Sequence, residues 1–122
     1  MTLTSTTLYS SSKDGELLPS QTKSLYGDVS QYKYLVVNAG GGLDQRIDLT
    51  IYTADLDSTH SYSLIFINTV SGDEYIIYSS LRFPTNSSAK LDTAVRYNFY
   101  TNGFVRLDNQ GINVHTIIGY KY

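Results

Sequence analysis

Residues that could act as acids, bases or nucleophiles are scarce in this chain. It has two His, no Cys, and only two Glu, Glu16 and Glu74, among its 11 acidic residues. The lack of Cys excludes thiol catalysis, disulfide scaffolds and Cys-type zinc sites. Glycosidases need two acids placed across a sugar, whereas most Asp residues here fall in turns, where their side chains bond the local backbone. The inventory therefore predicts no catalytic residues.

The densest polar group is the segment 55–62, which links two predicted strands. Its Asp, Ser and His are the residue types of a hydrolytic triad, but a triad needs a nucleophile held against its base on a rigid turn. Sugar binding asks for less, namely an aromatic face for the C–H side of the sugar and planar polar groups for its hydroxyls. The sequence therefore predicts a saccharide-binding set of Asp55, Asp57, His60 and Tyr62, with solvated loop surface as the alternative.

Asp55 and Asp57 also have a spacing that could supply oxygen ligands to calcium, with Asp44 or Asp48 nearby. The Gly and the distal Glu of an EF-hand loop are missing from this segment. Hydrogen-bonded loop acids explain the pattern more simply. No metal site and no cofactor are therefore predicted.

A second polar set alternates along the segment 95–100, Val-Arg-Tyr-Asn-Phe-Tyr. Strand alternation with the apolar residues turned inward directs Arg96, Asn98 and Tyr100 outward, toward solvent. These three side chains are the second predicted saccharide-binding set, again with solvated surface as the alternative. The sequence does not rank the two sets.

Alternation of apolar and polar residues with a period of two dominates the chain. In segment 46–53 the Ile and Leu side chains point one way and the polar side chains the other, which is typical of a half-buried strand. Segment 112–120 repeats the pattern, and His115 within it is interpreted as a structural histidine, buried or at an interface. A short turn near 17–25 is the only place where helix is expected.

Turn signals fall at short intervals between these strands. Asn102-Gly103 is the strongest signal, because both positions accept positive φ in a type I′ hairpin turn. The segment 39–42, Ala-Gly-Gly-Gly, is expected to be flexible and exposed. Short strands at this spacing predict an all-β fold, either an antiparallel β-sandwich or a jelly-roll-like barrel of about eight strands.

The length of 122 residues suits one domain. We interpret residues 1–122 as a single all-β domain, with an extended N-terminal strand and loops over 1–30 and the sandwich body over 31–122. The net charge is −2, and no block of Lys and Arg is present to neutralise phosphates. Binding to nucleic acid or to an anionic membrane surface is therefore not expected.

Two segments, 62–67 and 75–78, are apolar on both strand faces. Strands of this kind lie in the centre of a sandwich or at a subunit contact. Ile65, Ile67, Ile76 and Ile77 provide the apolar pairs. If one of these faces is uncovered in the monomer, it makes a patch that a threefold assembly could bury.

Segments at both ends of the chain resemble the C-terminal head domains of tail fibre, baseplate and receptor-binding proteins from bacteriophages of Gram-positive bacteria. Four pieces carry the resemblance: Leu8-Tyr9, Asp14-Gly15, Tyr32-Lys33-Tyr34-Leu35 and Ile118-Gly119-Tyr120-Lys121. Together they span the chain from about residue 8 to its end. The middle of the chain resembles those domains only in being β-rich and Tyr-rich, with Asn and Gly turns.

The resemblance implies an antiparallel β-sandwich, assembly into a homotrimer, contact with other virion proteins, and attachment to a bacterial cell-surface glycan. It implies a location on the phage particle surface, acting at the host cell wall. The alternative is a structural virion protein without a ligand, such as a capsid decoration or tail accessory protein. Met1 at the start fits either a short stand-alone virion protein or an excised domain.

Overall fold

The fold is taken from a computed structural model that describes residues 2–41, 45–70, 73–100, 103–108 and 111–122. In these ranges the chain forms ten strands: β1 Thr4–Ser10, β2 Thr22–Ser24, β3 Tyr34–Gly41, β4 Gln45–Tyr52, β5 Ser61–Val70, β6 Asp73–Thr85, β7 Ser88–Leu91, β8 Val95–Tyr100, β9 Gly103–Asp108 and β10 Asn113–Lys121. One helical turn, α1, spans Ser11–Asp14, and 3-10 turns span Val29–Gln31 and Thr53–Asp55. No helix in the described ranges is long and apolar enough to cross a membrane.

The strands form two antiparallel sheets. The first sheet has the order β1-β10-β3-β4. In the second sheet β6 pairs with β5 along one edge, and its other edge pairs with β8 through Glu74–Tyr78 and with β7 through Leu81–Thr85. Strand β2 lies outside β7, and β9 lies outside β8. The predicted all-β sandwich is confirmed, with ten described strands where about eight were expected.

The core lies between the two sheets, because alternate residues on each strand turn toward the opposite sheet. The first sheet contributes, among others, Leu35, Val37, Ile51, Val114 and Ile117, all buried. The second sheet contributes Leu64, Phe66, Ile77, Leu81 and Phe83, also buried. These side chains belong to one continuous cluster, so the two sheets share a single core.

The first 30 residues take part in this core and supply an edge strand to each sheet. Strand β1 pairs with β10, and β2 pairs with β7. Their buried side chains are Leu8, Tyr9, Leu17, Leu25 and Val29. The helical turn lies at Ser11–Asp14, so the expectation of helix near 17–25 is wrong; that segment instead holds a bridge from Leu17 to Val114 and strand β2.

The glycine segment after Ala39 is buried. Ala39, Gly40 and Gly41 end strand β3, and a Cβ added to Gly41 would lie 2.3 Å from Cγ of Phe66. The expectation of a flexible exposed segment is wrong for residues 39–41, because glycine is needed there to let the second sheet approach the backbone. Gly42 lies outside the described residues.

The hairpin between β8 and β9 is confirmed, but its register differs from the prediction by one residue. Tyr100 pairs with Gly103, so Gly103 is the first residue of β9 and not a central turn residue. Its φ of +149° is a conformation that glycine adopts readily and other residues rarely do. Asn102 lies outside the described residues.

Three of the four segments that carry the resemblance lie side by side in the first sheet, whereas Asp14 and Gly15 lie at the end of α1. Tyr34 of β3 pairs with Tyr120 of β10, and their rings stack with centroids 5.0 Å apart. Gly119 is buried beneath the ring of Tyr32, and Tyr9 of β1 pairs with Ile117 of β10. These three segments therefore form part of the framework of the first sheet.

We expect Gly119→Ala to destabilise the fold, because the added Cβ would lie 2.5 Å from Cγ of Tyr32. Overpacking of this kind costs about 1–3 kcal/mol. Urea unfolding monitored by tyrosine fluorescence measures the change. Thr6→Ala is the matched control, because Thr6 pairs with Gly119 but is exposed on an edge strand. Equal stabilities of the two variants would contradict the packing described here.

Candidate functional site

The loop between β4 and β5 holds the first predicted set. It begins with the 3-10 turn Thr53–Asp55, which is tied to the residues just before β3, because the Thr53 hydroxyl lies within hydrogen-bonding distance of the carbonyl oxygens of Tyr32 and Lys33. Beside the loop lies an open cleft of about 360 Å³. The cleft is lined by Val29, Leu56, Asp57, Ser58, Phe83, Pro84, Thr85 and Asn86.

Asp57 organises this loop through its own carboxylate. Its Oδ1 accepts hydrogen bonds from the Thr59 amide at 2.7 Å, the Thr59 hydroxyl at 2.6 Å and the His60 amide at 2.9 Å. Its Oδ2 lies 3.0 Å from Nδ1 of His60. The Thr59 hydroxyl and amide hold the pKa of the Asp57 carboxyl below its usual range, because they stabilise the charged form.

The structure brings Asp57 and His60 together and leaves Asp55 and Tyr62 at the loop margin. The Tyr62 hydroxyl donates a long hydrogen bond, 3.5 Å, to the backbone oxygen of Asp55. Partial burial raises the pKa of Tyr62. No described hydrogen bond joins His60 to Ser58, so the arrangement lacks the nucleophile–base contact of a triad. Because the carboxylate of Asp57 is occupied within the loop, its first role is to shape the turn.

Arg96 and Asn98 of the second predicted set lie on the opposite face of their strand from the one predicted. In an antiparallel pair, directly paired residues share a face. Arg96 pairs with the buried Ile77, and Asn98 pairs with the buried Tyr75, so both side chains lie on the core side of the second sheet. The prediction that they point away from the core is wrong, because pairing with β6, and not the local hydropathy of β8, decides which face each residue takes.

Arg96 is held in a defined position on that inner face. Its Cζ lies 4.2 Å from the centroid of the Tyr75 ring, and its Nε donates to Oδ1 of Asn98 at 2.7 Å. Arg96 and Asn98 are half-buried, while the neighbouring β9 residues Val105 and Leu107 are 45% and 37% exposed. We call Arg96, Asn98 and Tyr75 the arginine site. Tyr75 was missed as a site residue because its apolar surroundings resemble core, and the side chain of Tyr100 lies outside the described residues.

The outer face of the same sheet carries an exposed apolar patch, and Glu74, Arg106 and Asp108 lie on that face beside it. Ile65 and Ile67 of β5 are 53% and 66% exposed, and Tyr78 and Phe99 are 40% and 41% exposed. Strand pairing places them in adjacent rows with Ile76 and Tyr97, both half-buried. We call this surface the apolar face, and it consists of Ile65, Ile67, Ile76, Tyr78, Tyr97 and Phe99.

Aromatic contacts run across the apolar face. The Tyr97 ring stacks on Tyr78 with centroids 6.3 Å apart and lies 6.4 Å from the Phe99 ring. Of the four isoleucines named from the sequence, Ile65 and Ile67 are exposed, Ile76 is half-buried and Ile77 is fully buried. The polarity predicted for β8 is therefore inverted, with Tyr97 and Phe99 toward solvent and Arg96 toward the core.

His115 agrees with its interpretation as a structural histidine. It sits at a bulge in β10, where the pairing with β3 shifts between Val114 and Thr116. Its Nδ1 lies 2.7 Å from Oε1 of Glu16, and its side chain is only 12% exposed. The bulge turns the histidine toward the N-terminal segment, which the bridge from Leu17 to Val114 holds in place.

The chain matches no protein-family model and no curated protein.

We expect Asp57→Ala to destabilise the fold near neutral pH and to do so less as the solution becomes acidic. A carboxyl whose folded pKa is depressed stabilises the protein above its unfolded pKa, and that contribution is lost as the pH falls through the folded value, below about pH 4. Urea unfolding at neutral pH and at stepwise lower pH measures the difference between variant and parent.

Asp55→Ala is the control for this experiment, because no described hydrogen bond uses the Asp55 carboxylate although it lies in the same loop. Its stability should follow that of the parent at every pH. A deficit of Asp57→Ala that stays constant down to the lowest pH would show that the carboxylate does not anchor the loop through its charge.

Proposed function

We propose that this chain is a binding domain on the surface of a phage particle, part of a tail fibre or baseplate, that attaches to a saccharide of the host cell wall as a homo-oligomer. The observation that carries the proposal is the inverted polarity of the second sheet. An exposed apolar face lies on one side, and a half-buried arginine with exposed apolar neighbours lies on the other. No described arrangement of side chains favours catalysis over binding.

Self-association is supported by the composition of the apolar face. Contiguous aliphatic and aromatic patches on soluble proteins mark sites where another molecule binds, and aromatic residues dominate the energy of such contacts. A second copy can offer the same surface in return, as closed symmetric oligomers require. A threefold arrangement is the form that the resemblance implies.

Saccharide binding is supported by the groups that border the second sheet. Sugars bind to apolar surface combined with a few oriented polar groups. The arginine site beside Val105 and Leu107 offers such a combination, and the cleft beside Asp57 and Ser58 offers another. In an oligomer these weak sites act together, which raises the apparent affinity without any new contact.

The alternative is a structural virion protein that binds no sugar. The apolar face favours it as well, because that face needs only a protein partner. Reconstitution onto particles stripped of this protein, unaffected by added sugars, would support the alternative over saccharide binding.

The oligomer is tested by Ile67→Asp, which places a charge at the most exposed residue of the apolar face. Light scattering after size exclusion should give about three times 13.6 kDa for the parent and 13.6 kDa for the variant. Thr50→Asp, an exposed position on β4 of the first sheet, is the matched control and should keep the parental mass. A parent that is monomeric at tens of micromolar would contradict the proposal of self-association.

Attachment is tested with labelled protein on a panel of Gram-positive cells and their purified wall polysaccharides. We expect the parent to bind at least one cell type and to be displaced by that cell's polysaccharide. Ile67→Asp should bind about 100-fold more weakly, because a monomer loses the gain from multiple sites. Failure of the parent to bind any cell or polysaccharide across a broad panel would count against an adhesion role.

A further inference from the structure

The arginines of the second sheet differ in how their charge is compensated. Arg82 of β6 lies 3.6 Å from a carboxylate oxygen of Asp92, and Arg106 of β9 lies 3.0 Å from one of Asp108. Arg96 lies on β8, the strand beside both β6 and β9, and no carboxylate of the described residues forms an ion pair with it. Among the described residues, Arg82 and Arg96 are the half-buried arginines, and only Arg82 has an acidic partner.

The guanidinium of Arg96 is nevertheless fixed by its neighbours. Stacking over the Tyr75 ring and the bond from Nε to Asn98 together restrain the plane of the group and use one of its five N–H donors. The donors on the two terminal nitrogens have no hydrogen-bond partner among the described residues. A fixed planar fork with spare donors matches the two oxygens of a phosphate or carboxylate.

Partial burial of the Arg96 charge costs free energy of solvation unless an anion pairs with the guanidinium. A charge removed from water on one face needs a partner to recover its lost solvation, and buried charges in proteins are usually paired. Arg46 of β4 differs in this respect, because it is exposed and water can solvate its charge. The partner of Arg96 is therefore expected to come from outside the described chain.

We propose that the arginine site binds an anionic group, phosphate or carboxylate, carried by the glycan to which this domain attaches. The proposal rests on the adhesion function for the source of the anion, but not for the presence of the site. The anion docks on the Arg96 fork, and the carbon skeleton that carries it lies on Val105 and Leu107 of β9, whose exposed side chains flank the site on the same face.

The test uses the whole protein and pairs of small probes that differ only by an anionic group. Glycerol 3-phosphate is compared with glycerol, glucuronate with glucose, and inorganic phosphate with chloride at equal ionic strength. Binding is followed by the NMR shift of the Arg96 Nε–H resonance. We expect the charged member of each pair to bind, and the two organic anions to bind more tightly than inorganic phosphate because they add apolar contact.

Two substitutions at Arg96 separate charge from geometry. Arg96→Gln should weaken the binding of the organic anions about tenfold or more, the range for hydrogen bonds to charged groups. Arg96→Lys keeps the charge but loses the fork and should lie between Arg96→Gln and the parent. Backbone amide shifts of β9 report binding in both variants, and Arg82→Gln is the matched control, since it removes a paired arginine of the same sheet.

Equal binding of charged and neutral probes, undiminished binding by Arg96→Gln, or no binding of any probe would overturn the anion site. Loss of binding in Arg82→Gln equal to that in Arg96→Gln would also overturn it, because the effect would then follow total charge. Attachment to cells is read separately. Anion binding without cell binding would leave the anion site standing and contradict the adhesion function. Cell binding that is unchanged in Arg96→Gln would leave the adhesion function standing and contradict a role of the arginine site in holding the glycan.

Discussion

The register of β6 against its neighbours is the constraint on which the second sheet depends. This strand of 13 residues pairs with β5 on one edge and with β7 and β8 on the other. Its alternation sends Tyr75, Ile77 and Leu81 into the core, and each residue paired with them must take the same side. The burial of Phe66, the exposure of the apolar face and the inward position of Arg96 all follow from this one register.

The two candidate sites differ in how their charges are compensated. Asp57 is exposed, donors from its own loop occupy its Oδ1, and its Oδ2 lies 3.0 Å from Nδ1 of His60, so the group serves the turn first. Arg96 is half-buried, stacks on Tyr75, and has donors left over after its bond to Asn98. An external ligand adds most where the protein has fixed a charge and not neutralised it. For that reason the second sheet, and not the acidic loop, is the stronger basis for a binding function.

Local pattern was sufficient for the elements that have one polar and one apolar face. Segment 46–53 shows clean alternation, and its residues 46–52 lie in β4. Strands β8 and β9 pair as antiparallel neighbours, as the turn signal between them predicted. The prediction that segment 39–42 is flexible and exposed was wrong for residues 39–41, because composition does not show whether a glycine frees the backbone or makes room for a neighbour. Gly41 makes room for Phe66, which lies 25 residues later in the chain, and this contact exists only once the two sheets have packed.

The sequence by itself determined the all-β class, the strands with clean alternation such as β4 and β10, and the scarcity of catalytic groups, because each depends on residue type and near-neighbour spacing. Tertiary structure decided which face of β8 meets the core. Hydropathy alone placed Tyr97 and Phe99 inside, but pairing of β8 with β6 turns them outward and brings Arg96 onto Tyr75. A strand has two faces that differ only by a shift of one residue, and its hydrogen-bonded neighbour chooses between them.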